Sequence, residues 1–393
     1  MVDKIRRKTK NNGGNEMKKQ YLLTPGPTPI PPEVALKEAL PILHHRTNEF
    51  AAIYKDVAES LKYVFQTKNE VFLLAGSGTG AMEMAVTNIL SPGDEVIVAG
   101  CGNFGDRWIK IAETYGVKVI SASAPWGNVV KPAEIEKALK ANPNIKAVYT
   151  TSTETSTGVV NDIKAIGEIV AKTNAVLVVD TISGLAGQEF KMDEWKVDVT
   201  VSGSQKGLML APGLAFISLS EKAWKLTETS KIPKFYFDIK KYKKSYATNE
   251  TPFTPPVTLI VALQESLRLI KERGIENVWN DCKLLAKAAR AGMQALGLEL
   301  FGEVPCEVVT SAKVPEEIGG KIVKTLREKY GVSIAGGQAD LKGKIIRFAH
   351  MGYIGKADLL VGFACLEMVL VELGMKIEKG KAVAAAEEAL LNG

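Results

Sequence analysis

The sequence predicts an α/β protein: a large domain with a mostly parallel sheet flanked by helices, followed by a smaller C-terminal α+β domain. Three observations carry this. From Val71 to Asp180 short apolar or β-branched runs alternate with stretches of helical periodicity, the signature of strands joined by helical crossovers. Those runs, AVLVVD most clearly, are apolar at nearly every position, as expected of strands covered on both faces. Past about residue 275 the pattern changes to longer helices with few strands between them. The expected boundaries are a flexible N-terminal extension over 1–16, a large domain over 17–275 and a small domain over 276–393.

The elements follow in order. Tyr21 to Pro32 (YLLTPGPTPIPP) is punctuated by prolines that forbid a helix, and is expected to run extended over the surface. Helices are expected from Glu33 to Ala39 and from Phe50 to Phe65, the latter with Ile53, Val57, Leu61 and Val64 on one face. Val71–Leu74 reads as a buried strand, Gly76–Gly80 as a tight loop and Ala81–Leu90 as a helix. Strands are then expected at Glu95–Ala99, Val117–Ser121, Lys146–Thr150 and over AVLVVD to Asp180. Helices fall between them at Trp108–Tyr115, Pro132–Lys140 and Ile163–Lys172. Val197–Val201 and Leu214–Leu219 read as further strands. The basic, aromatic segment KIPKFYFDIKKYKKSY is expected to be a solvated subunit-contact loop, with single-stranded nucleic acid as the rival partner. Beyond it come helices at Leu259–Lys271, Val278–Ala295, Glu316–Tyr330 and Ala357–Leu373, a charged terminal helix, and strands at Glu307–Thr310 and Lys344–His350.

Composition narrows the chemistry. The chain of 393 residues is 46% hydrophobic and 24% charged with a net charge of +6, as in an ordinary soluble protein. No apolar run approaches the ~20 residues that span a bilayer. The basic start MVDKIRRKTKNNGGNEMKK lacks the apolar core of a secretory signal. It is expected to be a tail, with Met17 as an alternative first residue and a nucleic-acid or membrane-surface arm as the other reading. Cys101, Cys282, Cys306 and Cys365 are scattered without a CxxC pair, which argues against a disulfide framework or a metal site and suits a reducing cytoplasm. His44, His45 and His350 are the only histidines, so any His-dependent machinery must use one of these three.

Three local features carry chemistry. In VDVTVSGSQKGLMLAPGLAFISLS, Lys206 stands among small and apolar neighbours. Desolvation there lowers an amine's pKa and lets it attack a carbonyl; the plainer reading is a lysine at a strand end reaching water along its own stem. The strand, glycine loop and helix of VFLLAGSGTGAMEMAVTNIL form an anion site, with Ser77 and Thr79 hydroxyls beside free N–H groups. GSGTG has neither dinucleotide nor P-loop spacing, and a loop without a ligand is the alternative. Asp180 ends a buried strand, where open α/β sheets place ligands; it either caps the turn TISG or holds a proton on a heterocyclic nitrogen. Together with the flat side chain of Phe104 in a glycine loop, these parts match pyridoxal 5′-phosphate (PLP). Its aldehyde needs an amine, its phosphate an N–H cradle, its ring nitrogen a carboxylate and its ring a stacking surface.

From about Tyr21 onward the sequence resembles the class V aminotransferases of PLP fold type I, and within them the alanine–glyoxylate and serine–pyruvate aminotransferases. TPGPTPIPPEV, HHRTNEF, GSGTGAMEM, GNFGDRW, TETSTGV, VVDTISG, SGSQKGLMLAPGLAF, TPFTPPV and KIIRFAHMG carry the resemblance, in that order. It implies that Lys206 is the Schiff-base lysine and proton-moving base, and that Asp180 keeps the pyridine nitrogen protonated. Ser77, Gly78, Thr79 and Gln205 would bind the phosphate, Phe104 and Ile182 would cover the two ring faces, and Thr155 would reach the ring hydroxyl. Thr254, with Thr251, would reach the phosphate of a neighbouring subunit, which makes a homodimer part of the expectation. Relatives often carry Tyr where Thr251 stands. Arg347 would clamp a substrate carboxylate, Gly26 would lie close to the substrate, and the small residues Gly26 and Gly102 would suit short side chains. The implied reaction is a ping-pong transfer of an amino group from L-alanine or L-serine to glyoxylate or pyruvate, in the cytoplasm. Aspartate, ureidoglycine or aminoethylphosphonate transamination, a cysteine desulfurase-like lyase, and a non-catalytic subunit are the alternatives. No nucleic acid, membrane or metal is expected.

Overall fold

The computed structural model describes residues 18–392, so the expected extension over 1–16 lies outside the described residues. Seven strands form the central sheet: β1 (Val71–Gly76), β2 (Glu95–Ala99), β3 (Lys118–Ser121), β4 (Ala147–Thr151), β5 (Val176–Asp180), β6 (Val199–Gly203) and β7 (Gly213–Leu219). Their order is β1-β7-β6-β5-β4-β2-β3. β7 runs antiparallel to both neighbours and the other pairs are parallel. The period-two alternation of a strand sends Leu73, Ile97, Val148, Leu177 and Val179 into one hydrophobic cluster, and Phe72, Val96, Val98, Tyr149 and Val178 into another on the opposite face. Both faces are therefore covered, which is why these runs are apolar throughout.

A third cluster packs the helices Ile275–Ala295, Glu316–Tyr330, Lys356–Glu372 and Lys381–Leu391 on a three-stranded antiparallel sheet of Val309–Lys313, Ile345–Ala349 and Ala335–Gly336. The N-terminal segment runs extended, as its prolines require, but it is tied down. Tyr21–Leu22 pairs in parallel with Val332–Ser333, and Leu23 is buried in this third cluster with its carbonyl accepting from Ala349. The segment then crosses to the carboxyl edge of the large sheet, where Thr28 bonds Gln205 and Lys206 through their carbonyls.

Several elements differ from the sequence expectation. The glycine loop is shorter: Ser77 is already the N-cap, and Gly78 opens the helix Gly78–Ile89. The next helix begins at Asn103 rather than Trp108, because a remote carboxylate, Glu154, takes up its first N–H groups. The basic aromatic segment contains a helix, Ile239–Tyr246, capped by Asp238 and anchored by buried Ile239 and Tyr242. The strand expected at Glu307–Thr310 lies at Val309–Lys313, since Cys306 and Glu307 donate instead to Gly158 and Gln188. No described helix is long and apolar enough to cross a membrane.

Candidate active site

Parallel strands end at one edge of the sheet, and the side chains carried past that edge face a cavity of about 270 Å³. Gly26, Ser77, Gly78, Thr79, Phe104, Thr155, Asp180, Ile182, Gln205 and Lys206 all line it, joined by Arg107, Thr153 and Ser183. They come from positions far apart in the chain, and only the sheet order brings them together. A larger cavity, about 480 Å³, adjoins Gly207 and Met209, but its lining is mainly apolar and gathers none of the expected residues.

Lys206 sits in the turn linking β6 to β7 and is only 8% exposed. Its Nζ donates to the carbonyl of Pro25 and, at 3.3 Å, to Ser183 Oγ. Burial pushes the amine down to about 8; Asp180 opposes that shift and the nearby Arg347 charge adds to it. Gly26 lies directly against this side chain, so that any Cβ there would collide with the Lys206 stem, and its φ of +112° also favours glycine.

Asp180, at the end of β5, is buried and accepts one hydrogen bond, from Ile182 N–H at 2.7 Å. Burial raises its carboxyl to about 7, against the effect of that bond. Glu154 is fully buried nearby and is the residue that sequence reasoning passed over. It accepts from Phe104 N at 3.1 Å, Gly105 N at 2.8 Å, Ser156 N at 3.1 Å and Ser156 Oγ at 2.5 Å. Its carboxylate thus caps the helix that carries Phe104, a favourable place for a negative charge. Burial still raises its pKa. Gly102 owes its small size to this carboxylate: a Cβ there would strike Glu154 and Ser156, and Gly102 does not line the cavity.

Arg347 projects from Ile345–Ala349 and is 4% exposed. It donates from Nη1 to the Thr155 carbonyl at 2.7 Å, and from Nε and Nη2 to the Gly336 carbonyl at 3.0 and 2.7 Å. Among the described residues it has no ion-pair partner, and burial lowers its pKa to about 10. Its guanidinium keeps donors to spare for a planar carboxylate.

Arg347 does not itself line the cavity; the helix Gly78–Ile89 presents its N-terminus to it, and Ser77 makes no side-chain cap. Gln205 Oε1 is buried with no hydrogen-bond partner among the described residues. Turned over, the same amide presents its NH2 to that space. Uncapped N–H groups, a free hydroxyl and an unanchored amide fit a phosphate group. The Thr155 hydroxyl is 2.5 Å from Ser183 Oγ and both face the cavity. Thr251 and Thr254 do not line the cavity, and the Thr251 hydroxyl donates to the Phe253 carbonyl at 2.8 Å. Arg107, also unforeseen, donates to Thr79 Oγ1 at 2.9 Å and lies 4.9 Å from the Phe104 ring centroid. Its signal was the i, i+3 spacing from Phe104 in GNFGDRW.

The profile described as aminotransferase class-V matches residues 20–349. The chain is 42% identical over 379 residues to a protein of Synechococcus sp. named soluble hydrogenase, small subunit, covering 95% of this chain and 98% of that one. It is 39% identical to L-aspartate–glyoxylate aminotransferase of Paracoccus denitrificans, over 93% of this chain and 95% of that one. Identity to serine–glyoxylate aminotransferase of Methylorubrum extorquens is 37%, over 95% and 96% of the two chains. Among solved structures, ureidoglycine–glyoxylate aminotransferase of Bacillus subtilis superposes with a TM-score of 0.90 at 32% identity, covering 96% of this chain and all of that one.

Proposed function

The chain belongs to the class-V aminotransferases, a PLP-dependent family, and on that premise we propose that it transfers the amino group of L-alanine or L-serine to glyoxylate or pyruvate by a ping-pong mechanism. One observation carries the reading: a buried amine and a buried carboxylate line a single cavity, and the buried guanidinium of Arg347, without an ion-pair partner among the described residues, bonds the carbonyl of Thr155, which lines it too. When bound, the cofactor supplies an aldehyde for amine exchange and an electron-withdrawing ring.

The remaining work belongs to side chains of this protein. Lys206, with its pKa brought to about 8, is in part a neutral amine near pH 7 and can take a proton from the substrate Cα. Asp180 accepts from the N–H of the ring nitrogen and holds the proton there. Ser77, Gly78, Thr79 and Gln205 hold the phosphate, Phe104 and Ile182 cover the ring, and Thr155 bonds the ring hydroxyl. Arg347 orients the substrate carboxylate and Gly26 leaves room beside Lys206. Thr251 and Thr254 serve the cavity of a second copy, so the working unit is a homodimer. A cytoplasmic location accords with four buried free cysteines. Glyoxylate as acceptor is supported by the names of the aspartate, serine and ureidoglycine relatives, which differ in donor. A small donor is supported by the modest cavity. Desulfurase-like chemistry is disfavoured because no cysteine lines the cavity, and burial pushes the Cys101 and Cys282 thiols up to about 12 and that of Cys306 to about 11.

The test is glycine formation from glyoxylate by the PLP-loaded protein with L-alanine, L-serine, L-aspartate or L-cysteine as donor. Alanine or serine should give the highest kcat/KM. A clear preference for aspartate would replace the donor assignment, sulfide release from cysteine would favour a lyase, and no turnover with any donor would favour the non-catalytic reading.

A further inference from the structure

Arg107 is not explained by ion pairing or by helix stability. It is half-buried and has no carboxylate at ion-pair distance among the described residues. Its guanidinium is fixed at two points instead. Nη1 donates to Thr79 Oγ1 at 2.9 Å, and the group stands 4.9 Å from the Phe104 ring centroid, within cation–π range. Arg107, Thr79 and Phe104 all line the cavity, so the fixed cation faces the same space as the uncapped helix N-terminus. Among the described residues only one of its five N–H donors is used by a side chain. A cation held next to an N–H cradle and left without an anion is arranged for an anion that arrives with a ligand.

We propose that Arg107 is a positioning residue that supplies positive charge to the phosphate end of the cavity and couples that end to the ring-covering Phe104. The inference rests on the PLP reading above, and it extends the cradle beyond Ser77, Gly78, Thr79 and Gln205. Geometry makes the coupling direct: one guanidinium touches the hydroxyl at the first turn of one helix and the aromatic ring at the first turn of another.

The experiment measures affinity of the apoenzyme for PLP and for pyridoxal, which lacks the phosphate, by equilibrium dialysis, with inorganic phosphate as competitor. Arg107→Gln removes the charge and can keep a hydrogen bond to Thr79; Arg107→Lys keeps the charge. R107Q should weaken PLP binding by roughly 10- to 100-fold, as for a lost charge-assisted bond, and leave pyridoxal within about threefold. R107K should recover most of the PLP loss, and inorganic phosphate should compete less well in R107Q than in wild type. Equal losses for PLP and pyridoxal would overturn the proposal and reduce Arg107 to a support for Phe104; unchanged PLP affinity would overturn it outright. If R107Q does not fold, Arg107→Met in the same assays decides: a loss confined to PLP, with weaker phosphate competition, supports the role of charge, and unchanged PLP affinity or a loss shared with pyridoxal refutes it. Failure of the wild-type apoenzyme to bind PLP at all would instead defeat the underlying reading.

Discussion

Arg268 and Arg347 are the same side chain treated in opposite ways. Arg268, on the exposed face of the helix Val257–Arg273, is bracketed by two carboxylates, Glu265 and Glu272. Arg347 is buried and bonds only main-chain carbonyls, and Lys206 is buried beside it without an ion-pair contact among the described residues. Physical cost alone would favour the reverse, because an exposed pair adds little and a buried unpaired cation is expensive. Exposed Arg268 is thus electrostatically satisfied and the two buried cations are not. A fold that leaves such costly charges unpaired, one in the turn after a central strand and one bonded to the cavity residue Thr155, holds them for a charged ligand.

Replacing the amine at the cavity should have the largest effect. Lys206→Ala should lower kcat for glycine formation by more than about 10³-fold, the order expected for losing a positioned proton-transfer group. A loss below tenfold would mean that Lys206 is an ordinary strand-end lysine.

Asp180→Asn sharpens the contrast, because function and stability should move in opposite directions. Activity should fall by about 10²-fold, within the range for acid–base groups. The Asp180 carboxyl lies at about 7 in the fold against an ordinary 3.8, so the folded state retains a proton that the unfolded chain has lost between those values. Its stabilising contribution is present below about pH 4 and is lost as pH rises through about 7. At pH 8 the apo form of D180N should therefore melt higher than wild type, by ~2–4 °C. A lower melting temperature would identify Asp180 as a turn cap held by Ile182.

Lys206 has the opposite sign. Its pKa is depressed from 10.5 to about 8, so the folded amine gives up its proton first and stability from this group is lost as pH falls through about 8. The rate at which apoenzyme captures PLP should rise through the same pH as the neutral amine forms, which stopped-flow absorbance would follow. A rate that climbs only near pH 10 would contradict the depressed value. The smallest effect belongs to the surface: Arg268→Ala should leave turnover within about twofold and melting within ~1–2 °C.

How much of this the sequence disclosed depended on distance along the chain. Lys206 and Asp180 were visible because each ends or follows a run of apolar strand residues, and the parallel sheet followed from the same runs. Glu154 was not, because its partners Phe104 and Gly105 lie about 50 residues away and meet it only when β4 and β2 pair. The same separation hid the early start of the Asn103 helix, whose N-terminus is capped from outside. The three glycines of GSGTG suggest a loop up to Gly80, whereas Gly78 opens the helix with no room for a Cβ beside Ile182. The packing of Gly102 against Glu154 is hidden in the same way, since no local pattern joins the two.

The central claim is that Lys206 is the cavity's cofactor-bearing amine. Borohydride reduction of the PLP-loaded protein, followed by proteolysis and mass spectrometry, tests it most directly. The account predicts a single pyridoxyl adduct on the peptide containing Lys206, absent from K206A. Label distributed over surface lysines, or a protein that retains no PLP before reduction, would contradict it.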